Sequence, residues 1–125
     1  THADAGPYDY NADISETVVI VNNVYKTVAA QVDIDLGSGA GVAPIDDTND
    51  AIWYAIVIAE AAGIMTVVPV AGTAAPNATA VAPTDGAIDT AVGHSRWIRI
   101  SHVKIRRAGA ATCSFTAADD VKPVV

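Results

Sequence analysis

Ala51-Ile52-Trp53-Tyr54-Ala55-Ile56-Val57-Ile58, followed by Ala61-Ala62-Gly63 and then by Ile64-Met65-Thr66-Val67-Val68-Pro69-Val70, is the stretch on which the class of fold turns. Its alanines and Glu60 favour helix. The Ile-Val-Ile run and the aromatic pair favour extended chain, because branched and ring side chains lose rotamer freedom against a preceding helical turn. Read as a strand, Ile52, Tyr54, Ile56 and Ile58 recur at period two and share one face. Ala61-Ala62-Gly63 supplies a compact turn, and the returning arm alternates Ile64, Thr66, Val68 and Val70 with Met65, Val67 and Pro69. Pro69 cannot donate a ladder hydrogen bond, so it belongs at a sheet edge or a strand end. Trp53 has the opposite parity to the inward set. It is expected either outside, where an aromatic anchors a sugar or a subunit contact, or between packed sheets.

Toward the amino terminus, residues 17–21 are β-branched and apolar, Asn22-Asn23 tolerates positive φ, and Val24 opens a second strand-like run, which together predict a hairpin. From there Val24, Val28, Ala30, Val32 and Ile34 recur at period two, the pattern of one half-buried strand that reaches Asp35. Glycine-rich residues 37–41 end it, and a loop runs from Pro44 to Asp50. Residues 71–87 are Ala, Pro, Thr, Gly and Asn almost without exception, too poor in large apolar groups for a core element. Connections longer than roughly 12–15 residues tend to be functional or disordered, which makes this long loop or arm a candidate contact. Between Arg96 and Arg107, Ile98 and Ile100 have one parity and Val103 and Ile105 the other. A β-bulge near Ser101-His102 is predicted to return all four to the core side. Residues 112–115 supply a last short strand. Several short strands with little helix indicate an all-β class, an antiparallel β-sandwich or a small, jelly-roll-like β-barrel. The expected organisation is an extended N-terminal arm over residues 1–16, one β domain over 17–116 with the long Ala/Pro/Thr-rich loop, and a C-terminal tail over 117–125.

A chain of 125 residues fits one domain, since domains of roughly 100–150 residues are the common size. With 51% hydrophobic and 17% charged residues it has material for a core and does not read as disordered. No run approaches the ~20 unbroken apolar residues of a membrane helix. Thr1-His2-Ala3-Asp4 is polar and acidic where a secretory signal is basic and then apolar, so synthesis in a host cytoplasm without a signal peptide is expected.

Charge is unevenly placed. Residues 1–60 hold ten acids against one base, Lys26, whereas residues 96–125 hold six bases against Asp119 and Asp120. The net charge of −7 argues against nucleic acid and anionic membrane as partners. Opposite poles suit contacts between copies of the chain, with a trimer as the expected oligomer, or contacts with a mosaic protein surface. Arg96, Arg99, Lys104, Arg106 and Arg107 have no acid among them and are expected to form a protein interface. Tyr8 and Tyr10 give the acidic arm two aromatic anchors that order on a partner.

Catalytic and ligand chemistry is thin. Asp46, Asp47, Asn49 and Asp50 gather oxygen donors but lack the glycine and the distal glutamate of an EF-hand loop. Neither a Walker lysine nor a helix follows residues 37–41. His94 and Ser95 are neighbours that would point opposite ways on a strand. His2, His94 and His102 lack metal-ligand spacing, and Cys113 has no second cysteine, so it reads as a core thiol. The expectation is a non-enzyme with no cofactor and no metal.

The run of residues 51–58, the returning residues 63–68, the Ala/Pro-rich segment 72–83 and the strand 97–105 together resemble a pattern met in tailed-bacteriophage virion proteins. There a hairpin, a Pro/Ala linker and a returning strand recur in capsid decoration (cement) proteins and head-fibre-associated β-domains. The resemblance covers residues 51–107 and is one of rhythm, with no catalytic residue to carry over. It implies a β-rich structural protein, often trimeric, that sits on the capsid exterior, binds the major capsid protein and reinforces capsomer contacts. The alternative is a carbohydrate- or receptor-binding β-module that uses Trp53, Trp97 or tyrosines as platforms.

Overall fold

A computed structural model of the chain describes residues 2–3, 10–36, 48–109, 112–114 and 121–123. In chain order the strands are β1 (His2–Ala3), β2 (Tyr10–Ile14), β3 (Thr17–Val21), β4 (Val24–Val28), β5 (Gln31–Asp35), β6 (Ala51–Ala61), β7 (Ile64–Ala71), β8 (Trp97–Gly109), β9 (Thr112–Ser114) and β10 (Val121–Pro123). One helix, α1 (Asp85–Val92), lies between β7 and β8. The chain is thus mostly β, in several antiparallel sheets.

The largest sheet runs β10-β8-β6-β7, with β9 also on β8. The stretch 51–61 is strand throughout, so the helical preference of its alanines is overridden by burial of its branched and aromatic residues. β7 is the sheet edge, as Pro69 requires. The bulge in β8 is present as well: Ile56 pairs with Ser101 but Val57 pairs with Arg99, which leaves Ile100 as the extra residue. It stands next to the expected Ser101-His102 and puts Ile98, Val103 and Ile105 on the same face as Ile52, Tyr54, Ile56 and Ile58.

That face meets the two smaller sheets, β1-β2-β5 and β3-β4. Val19, Val28, Ile34 and Leu36 join Ile52, Tyr54, Ile56, Ile58, Val67, Val103 and Ile105 in one core, with Ile14 and Ile100 packed against it. The opposite face of β6 is buried too. Ala55, Val57 and Val70 pack there with Ile88 of α1, flanked by Val68, Val92 and Trp97.

Four expectations change. Residues 24–35 are not one strand: β4 pairs with β3 and β5 with β2, in different sheets. β5 is irregular opposite Ala12 and Ile14, so Gln31 and Ile34 share a side and Val32 is turned out, 71% exposed. Tyr10–Ile14, placed in the arm by the sequence, is hydrogen-bonded to β5, and Ile14 packs on the core. Likewise Val121–Pro123 of the expected tail pairs with residues 101–103 of β8. The long loop gives way at residue 85 to α1, which Thr84 caps by accepting the Ala87 N–H and Gly93 closes in the left-handed region at φ 88°.

Both tight hairpins use two residues of positive φ, Asn22 and Asn23 in the first, Ala62 and Gly63 in the second. This primed turn matches strand twist. Asparagine tolerates that region, whereas alanine at φ 51° sets its Cβ against the following carbonyl. Replacing Ala62 by Asn creates the preferred Asn-Gly turn and is expected to stabilise the protein by about 0.5–1 kcal/mol. Urea or thermal unfolding of A62N against wild type checks it.

Candidate functional site

Among the interface candidates, Trp53, Arg96, Arg99 and Lys104 are drawn into contacts within the chain. Trp53 is 7% exposed, because residues 72–84 fold back as a strap across its face of β6. Gly72 donates its N–H to the Trp53 carbonyl at 2.7 Å, and Ala75 exchanges both backbone hydrogen bonds with Ala51. The indole Nε1 donates to the Ala80 carbonyl at 3.1 Å. Lys104 Nζ stands 5.2 Å from the ring centroid, and His102 meets the ring edge-on at 6.3 Å. Trp53 is therefore an anchor for the chain's own strap and not an outward platform. The expected contact loop has its partner within the molecule.

Arg99 locks the same region. Its Nη2 donates to the Pro83 carbonyl at 2.8 Å and to Asp85 Oδ1 at 2.6 Å, while Nη1 donates to His102 Nε2 at 2.8 Å. A guanidinium has no acceptor, so His102 Nε2 is the unprotonated ring nitrogen. Trp97 Nε1 donates to Asp89 Oδ1 at 2.7 Å. Asp85 and Asp89, one turn apart on α1, are thus held by neighbouring residues of β8. Arg96 pairs with Glu60 at 3.1 Å. Arg106 is half-buried opposite Ala51. Arg107 and Tyr10 lie on β8 and β2 with side chains outside the described set, and Tyr8 lies outside the described residues, as do Asp46 and Asp47. Asp50 accepts the Asn77 N–H at 2.6 Å, which ties the loop before β6 to the strap.

A concavity among the described residues lies elsewhere. A groove of about 300 Å³ opens between the end of β3 and the end of the large sheet, floored by Val19, Val21, Ile58, Met65 and Ile98. Ile98 is on the core face yet 42% exposed, since the β3–β4 hairpin does not close fully over it. Glu60 and Arg96 stand at the rim. No pattern in the sequence brings these residues together; their one signal is the parity of Ile98 with a core face. Among the described residues no group of three or more His, Cys, Asp or Glu could hold a metal ion, and no helix is long and apolar enough to cross a membrane. Compared with protein-family models, with curated proteins and with solved structures, the chain matches none.

Glu60 is the titrating group of the rim. Its carboxylate accepts the Gly63 N–H at 2.6 Å and the Arg96 Nε–H. The Gly63 N–H foremost, then the Arg96 guanidinium and nearby His94, hold its carboxyl below the ordinary range against the opposing effect of desolvation. A depressed folded-state pKa contributes stability that is present above the unfolded value and lost as pH falls through the folded one. Glu60→Gln, which keeps the acceptor for Gly63, is expected to lower Tm at pH 7. The gap to wild type should close as pH drops through and below the usual carboxylate range. Melting curves from pH 7 to 2.5 decide it, and a gap that stays constant refutes the assignment.

Proposed function

We propose that the chain is a non-enzymatic structural protein that docks on a larger assembly, of the kind that decorates tailed-bacteriophage capsids. On this reading it binds the major capsid protein from outside the shell, reinforces capsomer contacts and associates with copies of itself as a trimer. The large sheet and the two smaller ones then act as the layers of a β-sandwich.

The observation that carries the reading is the outer face of the β3–β4 hairpin. Val18, Ile20 and Tyr25 share it at 58%, 56% and 75% exposure. Large apolar side chains clustered on a surface mark an interaction site, whereas single ones do not. Support comes also from the resemblance of residues 51–107 to virion proteins, since hairpin, linker and returning strand are here the β6–β7 hairpin, the strap with its helix, and β8. The carbohydrate-binding reading is weakened, because Trp53 lies beneath the strap and Trp97 is tied to Asp89.

Co-sedimentation with purified capsids tests the proposal, with stoichiometric binding expected. The double variant Val18→Ser, Tyr25→Ser should bind at least tenfold more weakly, while its stability stays within about 0.5 kcal/mol, as for substitutions of exposed side chains. Replacing Arg106 and Arg107 together by Ser should weaken binding in a salt-dependent way. Absence of capsid binding, or a monomer by light scattering at all micromolar concentrations, refutes the reading.

A further inference from the structure

The groove beside the Glu60–Arg96 pair runs between two open strand edges. On one side Val19, Ile20 and Val21 all line it. Consecutive strand residues point to opposite faces, so a cavity that touches all three runs along the edge of β3 and not beneath one face. The two-residue turn makes Val21 and Val24 a hydrogen-bonded pair. Val19 and Lys26 follow in the same phase, and Val18 and Ile20 direct their backbone N–H and C=O groups away from β4. No strand occupies that edge among the described residues.

On the other side Trp97 and Ile98, again consecutive, line the groove. The Glu60 N–H donates to the Arg96 carbonyl at 2.9 Å, which fixes the phase of the β6–β8 ladder: Ile98 bonds toward β6 and Trp97 presents its backbone groups outward. β10 reaches β8 only at residues 101–103, and β9 only at 106–109. The outer edge at Trp97 therefore carries no strand among the described residues. β7, the edge strand on the far side of β6, is by contrast blunted by Pro69.

The charge at the rim says what fits. Arg96 is 63% exposed and spends only Nε on Glu60. Its two terminal amines engage no described residue and form a planar fork suited to a carboxylate. We propose that this groove is a strand-docking site for an extended segment of another protein, with apolar side chains for the Ile58–Met65–Ile98 floor and an aspartate or glutamate for Arg96. This rests on the assembly reading above and names the chemistry of its partner. Main-chain hydrogen bonds to β3 supply affinity, and the floor and Arg96 supply selectivity.

The test uses dye-labelled peptides of about seven residues that alternate valine and threonine, with one position varied as Asp, Asn or Lys. Fluorescence anisotropy with the full chain should show saturable binding of the Asp peptide below 1 mM, and at least tenfold weaker binding of the Lys peptide. Arg96→Ser should remove the preference for Asp over Asn and leave binding of the Asn peptide unchanged. N-methylation of alternate peptide amides should abolish binding. Ile98→Lys, which places a charge in the groove at an exposed position, should also abolish it, with thermal melts confirming that the variant is folded. No binding of any peptide, equal binding of the Asp and Lys peptides, or indifference to N-methylation overturns the proposal. So does sedimentation showing that Ile98→Lys dissolves a self-associated form, which would make a second copy the occupant. Peptide binding without capsid binding leaves strand docking standing and removes the virion reading; capsid binding without peptide binding does the reverse.

Discussion

Every residue from Ala51 to Ala59 is buried, and both faces of β6 must therefore be covered by something other than water. Fully burying a Val, Leu or Ile side chain is worth roughly 1.5–3 kcal/mol, so Ile52, Ile56, Val57 and Ile58 together outweigh any single polar contact in the molecule. The covering is asymmetric. Sheets close one face, where Val19 and Val28 arrive from the β3–β4 hairpin and Ile34 from β5. The other face is closed by a strap of small residues and one short helix. Ala51, Ala55 and Ala59 leave room there, and Trp53 fills the space under residues 72–84.

Polar groups hold that second cover in place. Arg99 grips Pro83 and Asp85 where the strap becomes α1, and Trp97 grips Asp89 one turn later. Arg99 has its side chain 17% exposed, so its bonds are shielded from solvent on the Arg99 side while Asp85 remains open. The basic strand thus serves two purposes along its length. Arg99 holds the strap, Lys104 stands over the ring of Trp53, and Arg96 turns to the rim of the groove. What looks in sequence like one cationic patch is divided by the acids of α1 and by Glu60, which no count along β8 alone reveals.

Much of this was legible where period and turn chemistry agree. The alternation of residues 52–58, Asn22-Asn23, Pro69 and the parity break in β8 each report a local backbone state, and each led to the correct element. Composition read residues 72–84 correctly as a connection but misled at residues 85–87, because scarcity of large apolar groups says nothing about capping. Thr84 and Gly93 bracket Asp85, Ile88, Asp89 and Val92 at helical spacing, and that signal was present in the chain. Trp53 was ambiguous for a different reason: parity gives the face of a strand but not what covers the face. The groove was illegible because it depends on how far the β3–β4 hairpin stops short of Ile98, a matter of sheet packing that no local pattern encodes.

The turn at Ala62-Gly63 also bears on the order in which the chain finds its structure. β6 and β7 meet across two residues, so their hairpin forms by a short local closure, whereas β8 joins β6 only after the strap and helix have been carried around. Non-local pairing is slow because loop-closure entropy must be met before the contacts form. Until β8 arrives, one edge of β6, the most apolar strand of the chain, stands open, and any second chain with a similar strand competes for it. In the finished fold Trp53 holds the strap that carries the chain from β7 round to α1 and β8.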